Sequence, residues 1–252
     1  MFHRIGNIQL YIESNYDAMS ARAADIFAEQ AAERLNGVYG FATGSTPIGM
    51  YKALIKKYHE KKLDFSQWTT FNLDEYYPIK RDNDQSYRFF MEQQLFNHVN
   101  LNKSNINLLD GEAEDATVEC RAYEEKISLA GGITLQLLGI GTNGHIGFNE
   151  PDDYFSGTTG IVNLTQNTIN DNARFFESSE QVPRQALSMG IRTIMSAQKI
   201  LLIASGSNKS PIIAQMLYGR ITPQVPASVL QLHRHVTVVL DDAAAVDTRQ
   251  RL

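Results

Sequence analysis

The chain has 252 residues, 43% hydrophobic and 20% charged, with a formal net charge of -5, which suits one large α/β domain or two small ones. The acidic balance lacks the basic stripe of a nucleic-acid binder, and the most apolar runs, Ile200 to Ala204 and Val236 to Leu240, are far too short to span a bilayer. Cys120 is the only cysteine, which excludes an internal disulfide framework; with no signal-peptide-like stretch in Met1 to Leu10, the sequence reads as cytoplasmic.

Helix-like and strand-like patterns alternate along the chain. Met19, Ala23, Ile26, Phe27 and Ala31 recur at helical spacing after a cap at Ser14 or Asp17. Val38 to Ala42 is a short β-prone run, closed by the turn-rich Thr43-Gly44-Ser45-Thr46-Pro47, and Tyr51, Leu54, Ile55 and Tyr58 mark one face of a second helix. Trp68 to Leu73 predicts a strand, Ser86 to Val99 a helix, and Thr117 to Leu129 another, stopped by Gly131-Gly132. Ile133 to Ile140, Lys199 to Ser205 and Val236 to Asp241 predict three more strands. Strands separated by helix-length segments imply a parallel sheet covered on both faces. The Gly-, Ser-, Thr- and Asn-rich stretch Asp152 to Thr168 predicts a long loop or lid. With no repeat and no long linker, one domain is expected.

Four of these strands end in polar or glycine-rich clusters: Thr43-Gly44-Ser45-Thr46, Asp74-Glu75, Gly141-Thr142-Asn143-Gly144-His145 and Gly206-Ser207-Asn208-Lys209. In an open parallel sheet the carboxyl ends of the strands share one edge, where ligands bind. The fold would therefore gather clusters that lie far apart in sequence, and that convergence predicts a small-molecule site more strongly than any cluster alone.

Thr43 to Pro47 places a glycine, two hydroxyls and a helix-initiating proline where backbone N–H groups can cradle an anion. Alone, such a segment is more often a plain strand-to-helix turn, and it is not a Walker loop. Lys209 offers a point charge to the same anion and Arg174 a bidentate fork. Asp74 follows the apolar Phe71-Asn72-Leu73 and can serve as a general base if burial lifts its pKa; a lone Asp-Glu pair is more commonly a cap or turn. The richest segment is Gly139 to Pro151. Its glycines allow an irregular backbone close to a ligand. His145 lies within it, Glu150 is near enough to fix its tautomer, and Asn143 can orient either partner. A single cysteine and scattered histidines argue against a zinc site.

Phe41-Ala42-Thr43-Gly44-Ser45-Thr46-Pro47, Asn72-Leu73-Asp74-Glu75-Tyr76 and Leu138 to Pro151 resemble the glucosamine-6-phosphate deaminase (isomerase) family. So do Asn172-Ala173-Arg174-Phe175-Phe176, Gly206-Ser207-Asn208-Lys209 and Pro226 to His233, in order over nearly the whole chain. The resemblance implies a single-domain Rossmann-like three-layer α/β sandwich over residues 1–252, with a mostly parallel sheet and a lid segment roughly over 152–185. It implies conversion of glucosamine 6-phosphate to fructose 6-phosphate and ammonia, with no metal and no organic cofactor. By resemblance, Asp74 is the base that moves a proton from C2 to C1 of the open-chain sugar. His145 opens the ring, Glu150 and Asn143 support it, and Thr43, Gly44, Ser45, Thr46, Arg174 and Lys209 hold the phosphate. Some members carry aspartate where this chain has Asn143, and an amide orients but cannot ionise.

The expected partner is a small-molecule sugar phosphate, with no nucleic acid and no membrane; a homo-oligomer stays open. Three other readings compete. A galactosamine-6-phosphate enzyme would share nearly every motif. A 6-phosphogluconolactonase would share the fold but is not expected to carry Phe148-Asn149-Glu150-Pro151 or Asp74-Glu75-Tyr76. A non-catalytic sugar-phosphate sensor would need no proton-transfer residues. Some members of the resembled family are hexamers activated by N-acetylglucosamine 6-phosphate through basic side chains after the Asn-Glu-Pro motif. Here Asp152 to Val162 contains no Arg or Lys, and the chain stops soon after its last strand, so hyperbolic kinetics are expected.

Overall fold

The computed structural model describes residues 1–165, 169 and 182–252. Its centre is a sheet of eight strands: β1 (Phe2–Ile5), β2 (Ile8–Glu13), β3 (Val38–Phe41), β4 (Thr69–Asn72), β6 (Ile106–Asn107), β7 (Leu135–Leu138), β10 (Lys199–Ala204) and β11 (Val236–Asp241). They run in the order β1-β2-β11-β10-β7-β3-β4-β6, and every pairing is parallel except the β1–β2 hairpin. The parallel strands β7 and β10 are buried on both faces beyond Lys199, as their largely apolar runs predict, with Gln136 the polar member of β7.

The helices explain that burial. In α1 (Tyr16–Glu33), Met19, Ala23, Phe27 and Ala31 form the buried stripe. The cap is Asn15, whose Oδ1 accepts from Ala18 N at 2.9 Å, rather than Ser14 or Asp17; only a side chain three residues before that N–H closes the turn. Phe27 stacks on Phe41 at 5.5 Å and lies 5.8 Å from Trp68, which itself sits 4.3 Å from Tyr39. Helix α4 (Ala116–Leu129) starts one residue before the predicted Thr117, capped by Asp115, and sets Tyr123 against Phe71 at 5.4 Å. Phe41 and Phe71 occupy alternate positions in the β3–β4 register and so face opposite ways. Helices α1 and α4 therefore cover opposite faces, and the fold is the expected three-layer α/β sandwich. Gly131 and Gly132 follow α4 at φ +86° and +79°, the left-handed conformation that ends a helix.

Some boundaries differ from the sequence reading. Helix α2 is Ile48–His59, with Pro47 at its cap rather than inside it. Helix α3 is only Tyr87–Gln94, because Leu95 turns to φ −146° and a 3-10 turn over Phe96–His98 replaces the rest of the predicted Ser86 to Val99 helix. Asp74 is neither a cap nor a turn: it opens β5 (Asp74–Tyr77), which pairs antiparallel with β9 (Gln185–Ser188), and β9 pairs with β8 (Gly160–Asn163). Strand β8 lies inside the stretch read as one long loop. This small sheet covers a second core of Tyr76, Ile79, Phe148, Leu164, Ile169, Val182 and Ala186. The rest of the expected lid, 166–168 and 170–181, lies outside the described residues. Further α-helices among the described residues are α5 (Ile191–Met195), α6 (Ser210–Tyr218) and α7 (Val246–Arg249).

The topology fixes where a ligand belongs. From β3 the chain steps outward to β4 and β6, then returns to β7 on the other side of β3. The strand order reverses there, and the crevice at the carboxyl ends of β3 and β7 is the switch point of the sheet.

Candidate active site

The four clusters read from the sequence follow β10, β7, β3 and β4, which are consecutive neighbours in the sheet. At about 4.8 Å per strand they span roughly 14 Å at one edge, the scale of a phosphorylated hexose.

After β7 the backbone coils tightly. Gly144 N donates to Gly141 O at 3.0 Å and Gly141 N to His145 O at 2.9 Å. Gly144 and Gly147 take φ of +91° and +58°, accessible to glycine at little strain. The His145 ring lies over Gly141, where an added Cβ would come 2.2 Å from ring Cε1. Asn143 bridges the pair: its Nδ2 donates to Glu150 Oε2 at 2.6 Å, and its Oδ1 lies 2.7 Å from His145 Nδ1. A carboxylate only accepts, so the amide NH2 must face Glu150 and the carbonyl must face the ring. Nδ1 therefore carries the hydrogen, and Nε2 is the basic nitrogen. Glu150 Oε2 also lies 3.5 Å from Nδ1, close enough to stabilise a charged ring. The structure thus brings His145, Asn143 and Glu150 into one hydrogen-bonded chain, with the amide in the middle.

Asp74 approaches the same loop from β5. A Cβ on Gly147 would lie 3.5 Å from Asp74 Oδ2 and 3.1 Å from Ser188 Oγ. Ser188, paired with Asp74 across the small sheet, accepts from Phe148 N at 3.1 Å, and Met189 N donates to Leu73 O at 2.8 Å. Strand β9 thus ties Asp74 to the histidine loop, a role without any signal in the sequence. Asp74 is buried, and its pKa is pushed up to about 8, first by desolvation and then by the neighbouring Glu75.

After β3, Thr43 to Thr46 are partly or fully exposed, with Gly44 at φ +106°. Tyr16 OH reaches the carbonyls of Ser45 and Thr46 at 3.2 and 3.1 Å and accepts from Gly49 N at 2.8 Å, tethering this loop to α1. The sequence reading missed Tyr16, because a helix-start tyrosine carries no signature of such a contact. After β10, Gly206 sits at φ +96°, and the Asp241 carboxylate accepts from Gly206 N, Ser205 Oγ and Ala244 N. Asp241, read only as the end of a strand, shapes the turn that presents Lys209. Lys209 Nζ donates to Ile140 O at 2.7 Å, so this cation lies directly at the carboxyl end of β7. Arg174 lies outside the described residues.

Among the described residues no helix is long and apolar enough to cross a membrane. A glycine- and hydroxyl-rich turn, a His145–Asn143–Glu150 hydrogen-bond chain and a buried aspartate thus meet at the switch point of a parallel sheet, the setting of an α/β enzyme's ligand site. The chain belongs to the family of glucosamine-6-phosphate isomerases and 6-phosphogluconolactonases, which matches it over residues 14–239. Within that family it is 51% identical to a glucosamine-6-phosphate deaminase of Clostridium botulinum (strain Langeland) over 238 residues, 94% of this chain and 98% of the relative. A glucosamine-6-phosphate deaminase of Thermoanaerobacter sp. (strain X514) is 52% identical, with 94% of each chain covered. A solved structure described as a monomeric glucosamine-6-phosphate deaminase superposes with a TM-score of 0.92 at 42% identity, covering 94% of this chain and 99% of that one. A 6-phosphogluconolactonase from Thermotoga maritima reaches 0.73 at 19% identity over 92% of this chain and 99% of that one, which reflects the shared fold alone.

Proposed function

We propose that this chain is a glucosamine-6-phosphate deaminase, converting glucosamine 6-phosphate and water to fructose 6-phosphate and ammonia in amino-sugar catabolism. The observation that carries this reading is the packing of buried Asp74 against Gly147, within the loop that holds the His145–Asn143–Glu150 relay. That arrangement supplies two separate proton-transfer groups to one ligand. Lactone hydrolysis needs no base poised between two carbons, and a sensor needs neither group.

In this reading the substrate phosphate lies on Thr43, Gly44, Ser45 and Thr46 with Lys209 and Arg174, which fixes the sugar in register. His145, with Nε2 basic, takes the proton of the C1 hydroxyl and returns one to the ring oxygen, opening the pyranose. Asn143 and Glu150 hold the ring and balance its charge as it protonates. Asp74 removes the proton from C2 and delivers it to C1 through an enolamine while the C1 oxygen gains a proton, and water then adds to the resulting C2 imine so that ammonia leaves and the ketose remains. Ammonia release from glucosamine 6-phosphate and galactosamine 6-phosphate, measured side by side, tests the assignment. The gluco sugar is expected to turn over faster; preference for the galacto epimer, or release from neither, would overturn it.

A further inference from the structure

Glu75 is a buried carboxylate, next in sequence to Asp74, that the reaction as described does not use. It is 2% exposed, yet no cation neutralises it by direct contact among the described residues; its partners are backbone. Oε1 accepts from Tyr76 N at 2.9 Å and from Tyr87 N at 2.8 Å, and Oε2 from Arg88 N at 2.9 Å. Tyr87 and Arg88 open helix α3, whose cap Ser86 already takes the third N–H, that of Phe89, at 3.0 Å. A residue of a distant strand thus satisfies the two remaining N–H groups at that helix start, where the dipole favours an anion.

A helix cap alone requires only an acceptor, and Asn or Ser would serve. An ionised carboxyl buried beside the reaction's base has a further effect. Burial lifts the Glu75 carboxyl to about 7 while the three N–H donors pull it back toward the charged form, so it ionises before Asp74; once charged, in this water-poor position it acts on Asp74 with little screening. We propose that Glu75 is a positioning residue for this reaction: its anion, locked by three backbone N–H groups beside Asp74, sets the electrostatic field in which Asp74 takes and returns its proton. The inference rests on Asp74 being the base.

The surroundings leave few competitors. The titratable groups packed around Asp74 are Tyr76 on its own strand, Tyr87 on α3 and Tyr123 on α4, and burial drives all three hydroxyls upward, so they stay neutral in the working range. Arg88, half-buried on α3, offsets Glu75 in part and is itself drawn toward Glu92 and Asp110. Among the described residues, Glu75 is thus the charged group that weighs most on Asp74.

The test is the pH dependence of kcat/KM for wild type, Glu75→Gln and Ser86→Ala. Glu75→Gln keeps an acceptor for α3 but removes the charge, and its acidic limb is expected to fall on the order of one pH unit. Ser86→Ala weakens the same helix start without changing charge, so its limb should stay with wild type. A folded Glu75→Gln enzyme with an unmoved limb, or an equal displacement in Ser86→Ala, would overturn the proposal. If Glu75→Gln does not fold, the order of ionisation in wild type decides. The 13C carboxyl resonance of Glu75 should titrate at lower pH than that of Asp74, as a charge that weighs on Asp74 requires; Glu75 ionising after Asp74 would overturn the proposal. Failure of Asp74 as the base would show separately, as an Asp74→Asn enzyme that keeps its turnover.

Discussion

Asp74 illustrates how one residue carries both a cost and a function. Buried and lifted to about 8, it holds a proton in the folded chain over a range where the unfolded chain has released it, from an ordinary value of 3.8 upward. The folded state therefore binds more protons, and its stability falls as pH rises from about 4 to about 8. Asp74→Asn removes this contribution, so the variant should melt above wild type by a margin that widens between pH 5 and pH 8; a margin independent of pH would contradict the burial argument. His145 makes a second prediction at this scale. His145→Gln should impair turnover of the cyclic sugar but spare solvent-hydrogen exchange at C1 of fructose 6-phosphate, where the open-chain form binds directly. Equal loss of both would mean that the ring has some role other than ring opening.

At the scale of the element, the loops following β3, β7 and β10 are held from behind. Tyr16 tethers the first and Asp241 the last, while Ser188 binds the histidine loop to the strand that carries Asp74. Lys209→Ala removes a cation from the phosphate end without touching the proton-transfer groups. It should raise KM far more than it lowers kcat, and combination with Arg174→Ala should be non-additive if both grip one phosphate. A kcat defect with unchanged KM would remove Lys209 from that role. The loops' convergence at one sheet edge was legible in the sequence because glycines, hydroxyls and His145 are strong local signals at strand ends. The central strands and α1, α2 and α4 were legible because apolar period and glycine stops agree there. Strands β1, β2 and β6 were not read, and neither were β5, β8 and β9. Asp-Glu-Tyr-Tyr and Gly-Ile-Val-Asn are four-residue segments whose strand character comes from pairing with Gln185 to Ser188, a long-range contact that no local pattern encodes. Asn15, Tyr16, Asp241 and Ser188 were missed for the same reason: ordinary residue types become specific only through their partners.

At the scale of the molecule, the switch point between β3 and β7 gathers dispersed motifs at one edge, and the small antiparallel sheet brings Asp74 to it. Regulation belongs at this scale too. The segment after Pro151 presents Asp152 and Asp153 and no cation through Val162, so an anionic effector there would lack charge-assisted hydrogen bonds. Hyperbolic rate curves, unchanged by N-acetylglucosamine 6-phosphate, are therefore expected; a sigmoidal curve made hyperbolic by that compound would contradict this. The central claim is that a deaminase reaction runs through Asp74, and the most direct test follows both products of glucosamine 6-phosphate with wild type and Asp74→Asn. Wild type should release ammonia and fructose 6-phosphate in equal amounts, and the variant should lose about 10²–10⁴-fold in kcat, the usual contribution of a general base. Wild type that releases no ammonia, or a variant that keeps more than about a tenth of wild-type turnover, would contradict the account.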